Sequence, residues 1–554
     1  MIKRKSHKNR VKLSDRRYET VRKRLDLPKE SPSKRKFIVI QIDGLPFSTL
    51  KRFIEKGSCK NIARLMKKED YHFQKFNCGI PSGTPAAQAG MMYGDNSMLP
   101  AFRFIDKKNR QHFSFGSPAN VAFIEQKYFS KKKGILEGGS SYSNHFSGGA
   151  TRCAFTMSKV TQKTHLKRLK ESDIWFFVFL HPASVLRVAY YSFAELFIEA
   201  LEVAAHPFIR LFRKKRAIFG FWIPFRRLLM NTIMAELITK GVIIDIGRNV
   251  PSIFVNMIGF DEVAHLRGPN STAAYFSLRS IDRRVGRIVK KALGKYDLFI
   301  ISDHGQADCR TFKELNDGMD LAEYIQKCAK VKSFGLSSAF EGRLTVLGIT
   351  LRKTIEFLKY MSTPLRWTGT MFANGILRVL KPKGYKFVWD DKETIFVTDS
   401  CCMANIYFNK SQERMDQKQI EKAYPRLIEK LLLNPGIGIV LVKDKEGFSL
   451  LNREGSIHVG KSIKKEGTNF LREYGDEDLT LRQLKDFSKM EFLGDLVLFG
   501  NFKDGMSVSF TEHVGCHGGL GGDMMWPFFI SKEKHDLSHV ENIRELHKIF
   551  KSYS

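Results

Sequence analysis

Seven side chains able to bind a metal or attack an electrophile sit at the ends of apolar runs or in Gly-rich turns: Asp43, Thr84, Asp261, His265, Asp303, His304 and His517. The run FIVIQIDG delivers Asp43, and SIFVNMIGFDEVAH delivers Asp261 and His265. DLFIISDHG delivers Asp303 and His304, and VGCHGGLGG delivers His517. Carboxylate oxygens and imidazole nitrogens are the donors a divalent ion such as zinc takes. Two such ions a few ångströms apart can clamp the attacking and the leaving oxygen of a phosphoryl group. A Thr hydroxyl between them becomes a competent nucleophile only when a base or a metal helps it lose its proton.

Taken singly, the motifs are ambiguous. A strand ending in Asp-Gly is most often a turn. Asp261 and His265, four apart, also make an ordinary surface pair on a helix. Thr84 serves equally well as the cap of a helix beginning near Ala86, and the glycines around His517 suit a flexible loop. Asp303-His304 is more telling, because two adjacent ligand types rarely close a buried, Ile-rich strand by chance. The joint occurrence of all seven points to a metal site.

The ordered segments IDG, PSGTP, DEVAHLRGP, SDHG and HGG resemble the alkaline phosphatase superfamily, and within it the type I phosphodiesterase/nucleotide pyrophosphatase branch. In that family a Thr in a P-x-x-T segment is the nucleophile, and a small-residue turn follows about nine residues later. Here Pro81 and Thr84 are followed by Tyr93-Gly94, which selects Thr84 over Ser82. The resemblance implies that Asp43, Asp303 and His304 hold one ion together with Thr84, and that Asp261, His265 and His517 hold the other. It further implies a phospho-threonine intermediate that water then hydrolyses. Zinc is the expected metal, and manganese accepts the same donors. The family's diesterases usually add an Asn about twenty residues after the nucleophile. The segment GDNSMLPAFRFID puts Asn96 early and Arg103 nearer that place, so both are candidate substrate-binding residues, and diester versus monoester stays open.

The resemblance also implies an α/β fold with a three-layer, alkaline-phosphatase-like core and a mostly parallel central sheet. A helical insertion and a smaller α+β cap are added to it. The expected division is a basic head over 1–36 and core segments over 37–172, 251–315 and 491–554. An apolar and basic helical insertion occupies 173–250, and an inserted segment with the cap occupies 316–490. The core is expected to resume with DLVLFGNF, and an amphipathic helix is expected over roughly 539–551.

Neighbouring chemistries are set aside on residues. Sulfatases of the same superfamily need C-x-P-x-R, whereas Cys78 is followed by Gly79-Ile80-Pro81-Ser82-Gly83. A Walker-type phosphate loop is absent. The eight cysteines show no framework of paired spacings, and only Cys401 and Cys402 are close, which suits a reducing compartment. Cys516 beside His517 either approaches the metals or is a small buried side chain.

The net charge of +35 is unevenly placed, with 15 Lys/Arg against 4 Asp/Glu in residues 1–36. That head lacks the apolar stretch of a secretory signal, so a cytoplasmic location is expected, peripheral at the inner face of a membrane. It reads as a disordered tail, an anchor to anionic lipid or a nucleic-acid contact. The globular part lacks an aromatic-basic nucleic-acid module. Within the insertion, Glu195, Glu199 and Glu202 form an acidic stripe on an otherwise apolar helix, followed by Arg210, Arg213, Lys214, Lys215 and Arg216. An interfacial attachment and a buried helical cap fit this pattern equally, and the basic head favours the membrane surface.

The function expected is a metal-dependent hydrolase of phosphate esters, with diesters preferred. A phosphomonoesterase or a lipid head-group phosphotransferase would share every site residue. A non-catalytic, membrane-associated binding protein would be expected to have lost a ligand, and all seven positions are filled.

Overall fold

The computed structural model describes residues 35–160, 182–213, 217–220, 223–335 and 391–553, with Met371 and Trp389 besides. The basic head before Arg35 lies outside them, as do LTVLGITLRKTIEFLKYM and all of MFANGILRVLKP but Met371.

The strand Phe37–Ile42 is the axis of the molecule. Its alternating side chains fill two separate cores. Ile38, Ile40 and Ile42 pack with Leu50, Phe53, Leu237, Val242 and Val285 on one face, whereas Phe37 and Val39 pack with Ala87, Met91, Leu546 and Phe550 on the other. A strand apolar on both faces belongs inside a sheet covered by helices on both sides. It is parallel to Ser252–Met257 on one side and to Asp297–Ile301 on the other. Ser140–Tyr142 and Arg152–Ala154 extend the parallel set. Phe528–Ser531 runs antiparallel to Asp297–Ile301 and carries His72–Lys75 at the edge. The result is the expected α/β fold, with a seven-stranded, mostly parallel sheet between two helical layers.

A second sheet of eight strands is almost wholly antiparallel. Ile395–Ser400 and Met403–Phe408 form a hairpin within it, turned at Cys401-Cys402. The run DLVLFGNF departs from expectation. Its strand Leu496–Gly500 lies at the centre of this second sheet, between Met403–Phe408 and Ile437–Asp444. A short apolar run carries no local mark of which sheet it joins, and here the two antiparallel neighbours decide. The chain returns through Met506–Ser509, which pairs with Ala307–Thr311, and Gly515–Cys516 pairs with the other side of the same strand. The terminal helical segment begins later than expected, as a turn over Ile543–Leu546 continued by the helix His547–Lys551.

The insertion is helical where described. Pro182–Arg213 is a 32-residue helix, and Ile223–Arg227, Leu228–Met234 and Ala235–Gly247 continue towards the core. The acidic stripe faces inward: Glu195, Glu199 and Glu202 all reach Arg227, and Glu199 and Glu202 also reach Arg267. The opposite face is apolar and open to solvent, with Leu186, Tyr190, Phe193, Phe197 and Leu201 each between 53% and 70% exposed. Among the described residues, no helix is long and apolar enough to cross a membrane.

Candidate active site

Asp43, Thr84, Asp261, Asp303 and His304 sit where a strand ends or a helix begins, His265 lies late in its helix, and His517 follows a short strand of another sheet. Asp43 follows Phe37–Ile42, and Asp303 and His304 follow Asp297–Ile301. Asp261 and His265 lie on the helix Gly259–Arg267, which follows Ser252–Met257. Thr84 opens the helix Thr84–Tyr93, closed by Gly94 in the left-handed conformation. Gly44 follows Asp43 with φ +66°, and a Cβ there would run into Asp261, so the turn admits only glycine. Its backbone N–H donates to Asp303 Oδ1 at 3.2 Å, which ties two ligand turns together.

Two groups of donors emerge. Asp43, Asp303 and His304 place one ligand atom each within 4.8 Å of one another, and so do Asp261, His304 and His517. His304 thus stands between the groups, with its ring centroid 3.9 Å from that of His517. His265 joins the second group through Nε2, 3.2 Å from Asp261 Oδ2, while its Nδ1 lies 2.8 Å from the Gly515 carbonyl oxygen. A backbone carbonyl on the far nitrogen is the usual device for orienting a ligating imidazole. His517 Nδ1 is placed likewise, 2.9 Å from the Ser82 carbonyl oxygen. The Thr84 hydroxyl donates to Asp43 Oδ1 at 3.0 Å and lies 3.2 Å from His304 Nε2.

The electrostatics suit cations. Burial, reinforced by the neighbouring Asp303 and Asp261 carboxylates, pushes the Asp43 carboxyl well above its ordinary pKa. Burial also raises that of Asp303. Asp261 goes the other way: burial raises it, but the His265, His517 and His304 imidazoles together hold it well below the usual carboxylate range. Burial and the adjacent His304 bring His517 down to about 3, so it is a neutral donor at physiological pH. Asp303 Oδ2 is buried and takes no hydrogen bond. Carboxylates crowded without full pairing, and a neutral imidazole beside them, are what a divalent ion stabilises. The donor set therefore fits the ions expected from the sequence.

Several partners were not foreseen. Asn256 Nδ2 donates to Asp43 Oδ2 at 2.6 Å, and Gln306 Nε2 donates to Asp261. A polar residue near the end of the apolar run SIFVNM was the available signal for Asn256. Cys401 and His513 also border the site, with Cys401 Sγ 4.0 Å from His517 Nε2. Nothing local in the sequence marks either.

The two substrate candidates part ways. Arg103 lines the cavity beside Thr84, and its guanidinium is paired with Asp399 at 3.3 Å. Asn96 is buried elsewhere, its amide donating to Asn542 Oδ1 at 3.1 Å, so it stands apart from the cavity. The cavity holds about 250 Å³ and reaches Asp43, Thr84, Asp261, His265 and His517. Its far wall is apolar, built from Phe102, Phe155, Met157, Leu229, Met230 and Met234.

With this geometry in view, the sequence model of the type I phosphodiesterase/nucleotide pyrophosphatase family matches residues 37–360, more than half of the chain, and the chain belongs to that family. It is thereby a phosphoric ester hydrolase of the alkaline phosphatase superfamily, whose members are metal-dependent. No curated protein sequence matches it. Among solved structures, it is similar to phosphonoacetate hydrolase from Sinorhizobium meliloti 1021 in complex with phosphonoformate, at 11% identity and a TM-score of 0.47. That match covers 95% of this chain and 100% of the other. It is also similar to murine ectonucleotide pyrophosphatase/phosphodiesterase 5 in complex with AMP, at 11% identity and a TM-score of 0.41, covering 94% and 95%.

Proposed function

We propose that the chain is a phosphodiesterase in which Thr84 attacks phosphorus between two divalent ions, zinc or manganese. One observation carries this reading: the Thr84 hydroxyl lies 3.0 Å from Asp43 Oδ1 and 3.2 Å from His304 Nε2, at the first turn of a helix. Asp43, Asp303 and His304 would hold one ion, and Asp261, His265 and His517 the other. When bound, the ions lower the proton affinity of the hydroxyl and offset charge on the phosphoryl oxygens. Asp43 aims Oγ1 by accepting its hydrogen bond, and Asn256 fixes Asp43 by donating to its other oxygen. The first-turn N–H groups of Thr84–Tyr93, of which Pro85 has none, and the helix dipole favour the phosphate anion. Gly83 leaves the approach open, since even a Cβ there would come no nearer than 3.8 Å to His517.

The test is hydrolysis of bis-p-nitrophenyl phosphate against p-nitrophenyl phosphate, with zinc or manganese, for wild type and Thr84→Ala. Faster diester cleavage that falls by at least about 10³-fold in the variant, a barrier rise of about 4 kcal/mol, supports the reading. Monoester preference would replace it with a phosphatase. Full activity in Thr84→Ala would remove Thr84 from the nucleophile role.

A second, finer reading concerns the substrate's other half. The apolar cavity wall takes Leu229, Met230 and Met234 from the insertion, whose long helix also exposes an apolar face. A phosphoester with an apolar group, met at a lipid surface, would use both. The inward acidic stripe and outward Leu/Tyr/Phe stripe favour interfacial attachment over a buried cap. Hydrolysis of a short-chain phospholipid above and below its micelle concentration checks this, and an indifferent rate would discard it.

A further inference from the structure

Beside the site described above lies a second group of donors of a different kind. Cys401, His513, Cys516 and His265 each place one ligand atom within 4.8 Å of the others. Three distant stretches of chain build it. Cys401 comes from the hairpin turn of the second sheet, His513 from the loop before Gly515–Cys516, Cys516 from that short strand, and His265 from the helix of the core.

The distances suit a tetrahedral ion. Bonds of about 2.3 Å to sulfur and about 2.0 Å to nitrogen put the two ligand atoms roughly 3.6 Å apart. Here Cys516 Sγ and Cys401 Sγ lie 3.8 Å and 4.0 Å from His513 Nδ1. Cys516 packs in an apolar core that also holds Cys309 and Cys402, and two hydroxyls nevertheless reach its sulfur. Ser509 Oγ is 3.3 Å and Thr511 Oγ1 is 3.8 Å from Cys516 Sγ, as expected of hydroxyls around a ligating sulfur. Thr511 Oγ1 is also 2.9 Å from His513 Nδ1, and it has Ser509 Oγ at 3.0 Å to turn to when that nitrogen takes an ion. Cys401 adopts φ +64°, a conformation uncommon for a residue other than Gly, Asn or Asp, and one that gathers at functional sites. Access exists as well, since Cys401, His513 and His265 line the active-site cavity.

We propose that Cys401, His513 and Cys516 bind one zinc-class ion of their own. The His265 ring closes the fourth side while its Nδ1 stays with the Gly515 carbonyl. The ion would staple the hairpin of the second sheet to the loop that positions His517. Soft thiolates with an imidazole select zinc over magnesium, calcium or manganese, so this site would differ in metal preference from the carboxylate-rich pair. It does not depend on the phosphodiesterase reading.

The test uses the full chain, reduced, stripped with a chelator and titrated with Co²⁺. The carboxylate and imidazole donors of the active site contain no sulfur, so they give no sulfur-to-cobalt charge-transfer band. The proposal expects that band in wild type with three Co²⁺ bound in all, the band present in Thr84→Ala and lost, together with one of the three ions, in the Cys401→Ser/Cys516→Ser double variant. Because that variant can fail to fold, alkylation of wild type with and without zinc is read by mass spectrometry. Protection of Cys401 and Cys516 supports the site. Absence of the band, its survival in a folded double variant, or protection confined to Cys309 and Cys402, whose sulfurs lie 3.6 Å apart, would overturn it.

Discussion

Arg267 Nη2 lies 2.6 Å from Glu199 Oε1, and through that pair the helix presenting Asp261 and His265 is gripped by the long helix of the insertion. Both side chains are buried, and Glu199 also reaches Arg227. Removing one partner of a buried pair costs about 3–5 kcal/mol when the other charge is left uncompensated. Glu202 stays with both arginines after Glu199→Ala, so that substitution should lower the unfolding free energy by less than this in a denaturant titration. It should also weaken retention of the ion assigned to Asp261 and His265. An unchanged midpoint would show that the insertion is only loosely attached.

Asn256 should matter to the metal rather than to the fold. Its amide fixes Asp43 Oδ2 at 2.6 Å while Thr84 holds Oδ1. Loss of such an outer partner typically costs 10–100-fold in metal affinity. Asn256→Ala is expected to raise the zinc or manganese concentration for half-maximal activity by roughly that factor, with turnover recovering at saturation. Turnover that stays low at saturating metal would instead put Asn256 on the substrate.

His145 gives a pH dependence with a definite sign. Burial brings its pKa from 6.5 down to about 4, and its ring sits edge-on to Phe102 and Phe115. Protons then bind the unfolded chain more readily than the folded one between those two values. The contribution is fully present above pH 6.5 and is lost as pH falls towards 4. Urea midpoints measured across that window should decline with acid, and His145→Phe should flatten part of the slope. A parallel decline in the variant would assign the acid sensitivity to other groups.

The exposed stripe on Pro182–Arg213 is expected to hold the protein at anionic vesicles. Phe193 and Phe197 are 70% and 54% exposed and stack on one another at 6.2 Å. Phe193→Glu with Phe197→Glu should reduce co-sedimentation with vesicles at least about tenfold, since two buried aromatic side chains are worth several kcal/mol. Hydrolysis of a small soluble diester should be unaffected. Equal sedimentation of both proteins would move the attachment elsewhere or abolish it.

The sequence was most legible where chemistry and strand ends coincide. Asp43, Asp303 and His304 could be placed because a parallel strand buried on both faces reads as an unbroken apolar run and delivers its ligands at the carboxyl end. Cys401 and His513 were illegible, since a single residue on a hairpin turn or loop has no periodicity and owes its place to contacts more than a hundred residues away. Leu496–Gly500 shows the same limit for a strand, because apolar character says that it is buried and not beside which neighbours. The long helix could not be oriented from its pattern, because the partners that turn Glu195, Glu199 and Glu202 inward are Arg227 and Arg267, outside the helix.

The strand Phe528–Ser531 fits between His72–Lys75 and Asp297–Ile301, so two strands made early are joined only by one made some hundreds of residues later. On a ribosome, which releases the chain N-terminus first, the edge of Asp297–Ile301 stays bare and His72–Lys75 lacks this sheet partner until residue 531 has emerged. His517 arrives in the same late stretch. On the proposed reading catalytic competence is thus acquired late, and a chain interrupted upstream of that strand would present an open edge for chaperones to guard.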